Sequence, residues 1–255
     1  MSYTAFADYY DALTRNVEYE KRADYLCRLW DSLGHDPGIT LDLACGTGSL
    51  TLALAQRGID VYGVDGSPEM LSVAQQKAVN AGKSLLFLCQ KMQSLDLYGT
   101  VNTVVCALDS INHLTEEAQV QAVFDRVSLF LEPGGYFIFD LNTVYKHRNV
   151  LGNETFVYDT EEVYCVWQNR YDPADGKELV EISLDFFERN GEAYFRSSEQ
   201  FYERAYPTEQ IQEMLEQAGL KLEHCYGDLT MEPPTQDCQR MVFIARKSEG
   251  DCYGK

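Results

Sequence analysis

The sequence predicts an α/β fold in which helices flank a parallel β-sheet and a small antiparallel sheet is inserted late in the chain. Three observations support this class. From Ile39 to Asp140, short apolar runs alternate with amphipathic segments, the pattern of successive βαβ units. The first apolar run leads into a glycine-rich turn. After Asn142 the pattern changes to period-two alternation, which indicates antiparallel strands.

Seven short apolar segments are the candidate strands of the main sheet: Ile39–Leu43, Asp60–Val64, Leu85–Cys89, Asn102–Cys106, Tyr136–Asp140, Lys221–Tyr226 and Cys238–Arg246. The best-marked helix starts at Ser67-Pro-Glu-Met-Leu71, with Ser as N-cap and Pro in the first turn, and Gly82 ends it. Further helices are predicted from Thr115 to Phe130 and from Thr208 to Ala218, and one or two helices between Ala5 and Leu33.

The inserted sheet is predicted between Thr143 and Tyr206. This stretch contains two hairpin signals, Asp175-Gly176 and Asn190-Gly191, and 13 of the 31 aromatic residues of the chain. We therefore divide the chain into an α/β domain (1–142 and 207–247), an inserted β subdomain (143–206) and a flexible tail (248–255). We interpret the insert as a lid that carries substrate specificity; alternatively, it is a sheet with one face packed on the main domain.

Composition and charge exclude several classes of partner. The 255 residues carry 40 acidic against 21 basic side chains, a net charge of −19, and no basic run is present. Nucleic acid and anionic membranes, which bind to basic surfaces, are therefore not expected partners. The eight cysteines are scattered without a Cys-x-x-Cys pair, and neither a signal peptide nor an apolar span is apparent. We expect a cytoplasmic protein with reduced thiols and no metal site.

The glycine-rich turn is the most informative segment, Leu41-Asp-Leu-Ala-Cys-Gly-Thr-Gly-Ser-Leu50. Its glycines allow a ligand to approach the backbone, and a helix N-terminus follows. The dinucleotide fingerprint needs a third glycine at position 51, where this chain has Thr51. Asp42 lies four residues before Gly46, and a carboxylate there favours a cationic ligand over a pyrophosphate.

A second acid follows the next candidate strand, Val61-Tyr-Gly-Val-Asp65. A carboxylate at the end of this strand can accept hydrogen bonds from both hydroxyls of a ribose. Asp65 alone indicates a nucleoside, and Asp65 together with Asp42 indicates an adenosine that carries a cation.

These two motifs, together with Leu131-Glu-Pro-Gly-Gly-Tyr-Phe-Ile-Phe-Asp140, resemble the class I S-adenosylmethionine-dependent methyltransferases. The similarity covers about Tyr3–Asn142 and resumes at Pro207–Arg246. Phe6-Ala-Asp-Tyr-Tyr-Asp11 and the aromatic insert resemble the small bacterial branch with an antiparallel sheet after the fifth strand. The resemblance implies a doubly wound, Rossmann-like sheet of seven strands, the last one antiparallel, with the cofactor across the ends of strands one and two. It also implies S-adenosylmethionine as donor and S-adenosylhomocysteine as product.

By position in these motifs, Asp42 and the backbone of Ala44, Cys45, Gly46 and Gly48 hold the methionine moiety, and Asp65 holds the ribose. Met70 covers one face of the adenine, and Gln90, Lys91 and Met92 meet its edge. Tyr9, Gly66 and Leu108 complete the cofactor-binding set. Lys91 stands where the family usually has Asp, and a lysine cannot accept a hydrogen bond from the adenine amino group. Gln90 or the backbone would then accept it.

Candidate catalytic residues follow the fourth strand in Ala107-Leu-Asp-Ser-Ile-Asn-His113. His113 has the ordinary pKa best suited to removing a proton near neutrality, and Asp109 could orient it or hold a cationic substrate. Alternatively, His113 caps the next helix. Tyr10, with Tyr9, is placed to close over the cofactor, or these rings pack a helix onto the sheet.

The sequence thus predicts transfer of a methyl group to a nitrogen or oxygen of a neutral or cationic small molecule, by a monomer or homodimer. Two alternatives remain. A cofactor-binding protein without catalysis, regulatory or involved in assembly, would fit the unusual Lys91. A nicotinamide-dependent oxidoreductase is disfavoured by Asp42 and by the missing third glycine.

Overall fold

The structure, a computed structural model, describes residues 9–11, 13–14, 17–161, 163–173 and 176–249. Its strands are β1 (Thr40–Leu43), β2 (Val61–Asp65), β3 (Phe87–Cys89), β4 (Val101–Cys106), β5 (Leu131–Asn142), β6 (Thr155–Asp159), β7 (Val163–Asp172), β8 (Glu178–Asn190), β9 (Ala193–Ala205), β10 (Leu220–Gly227) and β11 (Arg240–Lys247). The α-helices whose bounds fall within the described residues are α1 (Tyr19–Leu33), α2 (Ser49–Gln56), α3 (Pro68–Asn80), α4 (Glu117–Phe130) and α5 (Thr208–Gln217). Helical residues also occur at 9–11 and 13.

The main sheet has seven strands in the order β10-β11-β5-β4-β1-β2-β3. Strands β1 to β5 pair in parallel, and β11 runs antiparallel between β5 and β10. This confirms the predicted doubly wound sheet with an antiparallel last strand. The strand order reverses between β1 and β4, and ligands of such sheets bind at the carboxyl ends of the strands on either side of that point.

Two apolar layers cover the two faces of the main sheet. On one face, Phe124 and Val127 of α4 pack with Phe137 and Phe139 of β5. On the other face, residues of α1 and α2 pack with the alternate side chains of the same strands, including Trp30, Leu54, Val105, Ile138 and Ile244. The sheet is therefore buried on both sides, and polar groups at its strand ends are available for a site.

The inserted sheet has four antiparallel strands in the order β6-β7-β8-β9 and its own apolar cluster. Asn190 pairs with Ala193, as the Asn190-Gly191 hairpin signal predicts. The other hairpin signal lies between β7 and β8, and its Asp175 is outside the described residues. The subdomain boundaries that we proposed remain a prediction, as does the flexible tail, most of which is also outside the described residues.

Local differences from the predicted elements have simple causes. Ser67 caps α3 as predicted, its Oγ accepting from the Met70 N–H at 3.2 Å. Strand β5 starts at Leu131, earlier than predicted, because Leu131 already pairs with Val101 before a register shift. A 3₁₀ helix over Ser110–His113 and a π-helix over Lys146–Leu151 were not predicted, since such short turns leave no periodic pattern. Within the predicted N-terminal helical stretch, residues 5–8, 12, 15 and 16 lie outside the described residues.

Candidate functional site

The glycine-rich loop joins β1 to α2 in a left-handed backbone. Ala44, Gly46 and Gly48 have φ angles of 59°, 54° and 70°. A Cβ on Gly48 would lie 2.8 Å from the Cβ of Ala74, whereas a Cβ on Gly46 would meet nothing within 4 Å. Gly48 therefore lets α3 pack closely, and Gly46 leaves open space beside the loop backbone. The thiol of Cys45 points away from that space, since a Cβ on Gly63 of β2 would lie 2.6 Å from its Sγ.

The carboxylate of Asp65 links the ends of β1 and β2. Its two oxygens accept from the N–H groups of Gly46 and Ser67, both at 2.8 Å. Burial raises the pKa of Asp65, and these N–H groups oppose the rise. Each carboxylate oxygen has a second lone pair, so the group retains capacity to accept from the two hydroxyls of a ribose.

Asp42 lies beneath the loop rather than in it. Its side chain is buried, and its Oδ2 accepts from the hydroxyl of Thr51 at 2.6 Å. Burial raises the pKa of Asp42 to about 7, although the Thr51 hydrogen bond acts in the opposite direction. Thr51, the residue that breaks the dinucleotide fingerprint, thus supplies the partner of the acid.

The predicted adenine-binding residues lie at the end of β3 and the start of α3. Met70 is buried. The amide of Gln90 makes two hydrogen bonds with the backbone of Asp96, donating at 2.9 Å and accepting at 2.8 Å. Lys91 is exposed, and its Cγ would lie 3.6 Å from a Cβ on Gly66. Since Gln90 is held by Asp96, the backbone becomes the better candidate to accept from an adenine amino group.

Met92 opens a 3₁₀ helix over Met92–Ser94 and packs against the main core. Its Sδ accepts from the Sγ of Cys106, at the end of β4, at 3.9 Å. The predicted adenine edge is thus fixed to the strand that leads to Leu108.

The described part of the N-terminal segment lies across the glycine-rich loop. The Asp11 carboxylate accepts from the hydroxyls of Thr47 at 2.8 Å and Ser49 at 3.3 Å, and it forms an ion pair with Lys77 of α3. The ring of Tyr9 stacks on Phe186 of β8 with 6.1 Å between centroids. The segment therefore connects the loop with the inserted sheet, and Tyr9 belongs to the apolar cluster of that sheet.

Tyr10 lies on the other side of this segment, within hydrogen-bonding contact of Tyr19 and close to Asp109 and Arg240. Burial raises the pKa of Tyr10 well above its ordinary value, and the charges of Tyr19 and Asp109 raise it further. The hydroxyl therefore keeps its proton at neutral pH and can donate a hydrogen bond, but it cannot act as a base there.

The loop after β4 has a strained backbone. Leu108 and Asp109 have φ angles of 60° and 52°, which non-glycine residues adopt at a cost of about 1–3 kcal/mol each. The carboxylate of Asp140, at the end of β5, accepts from both of their N–H groups, at 2.9 and 2.7 Å. Strain of this kind is often found at functional sites.

The side chain of Asp109 is held from two strands. Its Oδ1 accepts from Arg240 Nη2 at 2.6 Å, and its Oδ2 accepts from Asn142 Nδ2 at 2.8 Å. Burial alone would raise the pKa of Asp109, but the guanidinium of Arg240 and the charges of Lys146 and His113 outweigh burial and lower it. Asp109 is therefore ionised at all physiological pH values.

His113 ends the 3₁₀ helix that follows this loop. Its ring packs against Phe201 of β9 with 5.1 Å between centroids, and its Nε2 lies 3.9 Å from the Oε1 of Glu203. Its Nδ1 is buried without a hydrogen-bond partner among the described residues. Helix α4 has Glu116 as its N-cap, so His113 does not cap the next helix.

Glu203 was not predicted as a site residue. It is buried, and its Oε2 accepts from Asn142 Nδ2 at 3.2 Å and lies 3.5 Å from His147 Nε2. Ligand atoms of Asp109, His113 and Glu203 lie within 4.8 Å of one another, so the three could surround a metal ion. Arg240 and Asn142 already bind the two oxygens of Asp109. We predict that this site holds no metal, and this prediction remains to be tested.

The site thus has two sides. Predicted residues at the ends of β1, β2 and β3 form the first. Asp109, His113 and Tyr10 form the second, together with residues that the sequence did not single out, namely Asp140, Asn142, Lys146, Glu203 and Arg240. Asp140 ends the Leu131–Asp140 motif, which was noted in the sequence without a role for this residue. The other four residues carry no local motif. The two sides adjoin, since β1 and β4 are neighbouring parallel strands whose carboxyl ends lie at the same edge of the sheet.

Comparisons with known proteins agree with this arrangement. A family model described as a methyltransferase domain matches residues 40–135. The Bacillus subtilis protein YqeM, whose methyltransferase name is provisional, is 36% identical over 251 residues, which are 98% of each chain. CalS10 of Micromonospora echinaspora, an amino pentose methyltransferase with S-adenosylmethionine bound, shares the fold with a TM-score of 0.73 at 20% identity, over 94% of this chain and 96% of that one. No helix in the described ranges is long and apolar enough to cross a membrane.

A crystal structure from Clostridium acetobutylicum, of an S-adenosylmethionine-dependent methyltransferase, has a TM-score of 0.86 and 33% identity, and the match covers 96% of this chain and 99% of that one. This similarity runs along almost the whole chain and includes both sheets. It confirms the resemblance seen in the motifs: the chain belongs to the S-adenosylmethionine-dependent methyltransferases.

Proposed function

We propose that this enzyme transfers the methyl group of S-adenosylmethionine to a small molecule, and that an amine nitrogen is the preferred acceptor over an oxygen. The observation that carries the proposal is the meeting of Asp109, His113 and Glu203 next to the end of β4, at the same edge of the sheet where Asp65 ends β2. Two carboxylates and an imidazole at the end of β4 suit a group that arrives as a cation and must lose a proton.

On the cofactor side, Asp65 accepts from the ribose hydroxyls, and the open backbone from Ala44 to Gly48 receives the methionine moiety. The negative charge of Asp42 beneath the loop favours the ammonium and sulfonium groups. Met70, Gly66 and Leu108 border the adenosine, and 90–92 meets the edge of the adenine. The donor supplies a methyl group that is activated by its bond to a sulfonium.

On the acceptor side, Glu203 and Asp109 attract an ammonium, and His113 takes its proton so that the nitrogen becomes nucleophilic. General-base catalysis of this kind contributes about 10²–10⁴ in rate. Tyr10 remains protonated and donates a hydrogen bond. The inserted sheet, with Phe186 stacked on Tyr9, acts as a lid that excludes water and limits the acceptor to small molecules.

Three further observations support the class of acceptor. The insert carries 13 acidic and 7 basic residues, which disfavours a phosphorylated or otherwise anionic acceptor. Glu203 has no Lys or Arg ion pair among the described residues, so a cationic acceptor would compensate its buried charge. The structural neighbour CalS10 methylates an amino pentose. We place the enzyme in the cytoplasm, where its thiols stay reduced, as a monomer or homodimer.

A second candidate function is a cofactor-binding protein without catalysis, and Lys91 is the residue that favours it. In place of the family's usual acid, Lys91 presents a flexible cation near the adenine edge. This alternative predicts cofactor binding without turnover on any acceptor.

A mass-labelled methyl group distinguishes the two functions. The pure protein is incubated with donor that carries a trideuterated methyl group and with bacterial extract separated into small molecules and macromolecules. We expect the label on nitrogen in one or a few small amines, and label on protein or nucleic acid would contradict the proposal. Cofactor binding by calorimetry without label in either fraction would favour the non-catalytic alternative.

A further inference from the structure

We propose that Asp140 and Arg240 are positioning residues for methyl transfer, which together hold the loop after β4 and the carboxylate of Asp109 in place beside the acceptor. This inference rests on the proposed function of Asp109, and the experiment below separates the two. Both side chains are occupied by other groups: each oxygen of Asp140 accepts from a loop N–H, and Arg240 binds both Asp140 and Asp109. Their role in the proposal is therefore to hold Asp109 and its loop rather than to contact the acceptor.

The backbone of the loop depends on Asp140. Leu108 and Asp109 are consecutive non-glycine residues in the left-handed region, and a loop of this shape needs bonds that hold it. Asp140 supplies them, one oxygen for each N–H. Strand β5 pairs in parallel with β4, and Cys106, the last residue of β4, lies opposite Phe139. Asp140 follows Phe139, so its carboxylate lies beside the residues that follow β4.

Arg240 fixes both carboxylates at once. One guanidinium nitrogen, Nη1, forms an ion pair with Asp140 Oδ1, and the other, Nη2, bonds Asp109 Oδ1 at 2.6 Å. Arg240 starts β11 and pairs with Asn142, the residue that bonds the other oxygen of Asp109. A planar fork with fixed geometry can bridge two carboxylates in this way, whereas a lysine cannot.

The arrangement continues into the N-terminal helix. Arg22 of α1 lies 3.7 Å from Asp140 Oδ2 and forms two hydrogen bonds of 3.0 Å with Asp228. Asp140 therefore lies between two guanidinium groups on opposite sides. A buried carboxylate with this many partners is held in one orientation, as required of a residue that sets the position of a reacting loop.

The groups that face Asp109 come from every element packed against it: Arg240 from β11, Asn142 and Asp140 from β5, Glu203 from β9, Lys146 from the π-helix, His113 from its own loop and Tyr10 from the N-terminal segment. Among these groups, the charge of Arg240 makes the largest contribution to lowering the pKa of Asp109. Loss of Arg240 should therefore move protonation of Asp109 to higher pH.

The test compares Arg240→Lys and Arg240→Met with Arg246→Lys, a matched control on the same strand whose partners are Gly134 and Glu249. We expect kcat/KM for the acceptor to fall by about 10–100-fold in Arg240→Lys, the loss of about one to two hydrogen-bonded charge contacts. The Kd for S-adenosylhomocysteine should change by less than about threefold. In Arg240→Met the acid limb of the pH profile should shift to higher pH, whereas Arg240→Lys retains the charge and should leave the limb in place.

Wild-type kcat/KM in a folded Arg240→Lys protein, or an unshifted acid limb in a folded Arg240→Met protein, would overturn the proposal. If Arg240→Met fails to fold, Arg240→Lys alone decides. If the wild-type enzyme transfers a methyl group to no acceptor, the proposed function fails. Amide hydrogen exchange then tests separately whether Asp140 holds the loop after β4. Asp140→Asn should speed exchange at the amides of Leu108 and Asp109 by about tenfold or more, as expected on loss of a hydrogen bond of about 1.4 kcal/mol. Unchanged exchange would contradict the proposal.

Discussion

The Asp42→Asn substitution tests how the buried acid under the loop shapes stability and cofactor binding. The folded protein holds Asp42 with a pKa of about 7, against 3.8 for the ordinary side chain. The pKa is raised on folding, so ionisation of Asp42 costs stability: the cost is absent below about pH 4, grows as pH rises to 7 and is complete above it. At 1.36 kcal/mol for each unit, the full cost is about 4 kcal/mol.

Asn has nearly the same shape, accepts from Thr51 and does not ionise. Between pH 5 and pH 8 the stability of the wild type should therefore fall by about 3 kcal/mol relative to Asp42→Asn. For a chain of this size, the Tm of the wild type should therefore fall by roughly 6–12 °C relative to the Tm of Asp42→Asn over this pH range. Thermal unfolding followed by circular dichroism at several pH values measures it. Asp60→Asn, at an exposed position just before β2, is the matched control and should parallel the wild type.

The same variant reports on the cofactor. If the charge of Asp42 attracts the cationic methionine moiety, the affinity of the wild type for S-adenosylmethionine should rise with pH through about 7, while Asp42→Asn should lack this rise. Parallel stability curves for the wild type and Asp42→Asn would refute the argument from burial. Parallel affinity curves would instead remove Asp42 from cofactor recognition.

Four further outcomes are expected. Asp65→Ala should weaken S-adenosylhomocysteine binding in calorimetry by about 1.5–3 kcal/mol for each ribose hydrogen bond lost, and unchanged affinity would remove Asp65 from the ribose. His113→Ala should lower kcat by about 10²–10⁴ while the cofactor Kd stays the same, and full turnover would show that His113 is not the base. Gly48→Ala should destabilise the fold by about 2–4 kcal/mol, because it adds overpacking against α3 to the strain of a left-handed backbone. Gly82→Ala, at a left-handed position with open space around it, should cost only about 1 kcal/mol. Equal costs would show that close packing is not the reason for a glycine at position 48. A chelator should leave activity unchanged, and activity restored by a divalent ion after chelation would reveal a metal at Asp109, His113 and Glu203.

The structure brings together the residues that we predict to bind the cofactor, and this grouping was predictable because its signals are local. A buried strand, a glycine turn and an acid at the end of the next strand are all contained within Leu41–Asp65, and the chain brings them together through one βαβ unit. The details were less accessible. The contribution of Asp42 to binding the methionine moiety stays a prediction. The structure adds that its carboxylate lies under the loop and accepts from Thr51, a contact that the sequence pattern did not indicate.

The acceptor side was only partly predictable, because its contacts join distant segments. Arg240 reaches Asp109 across 131 residues of sequence, and Glu203 belongs to the inserted sheet. The chain contains 40 acidic residues, and nothing in the local pattern distinguishes the buried Glu203 from exposed acids such as Glu192. Only the pairing of β5 with β11 and the return of β9 toward His113 bring these groups to one place.

The most direct test of the site is a crystal structure of the complex with S-adenosylhomocysteine. The account predicts that both ribose hydroxyls lie within about 3.2 Å of the Asp65 carboxylate. It also predicts that the homocysteine sulfur faces Asp109 and His113 across the open space beside Gly46. A ribose bound away from Asp65, or a sulfur that points away from the loop after β4, would contradict the assignment of both sides of the site.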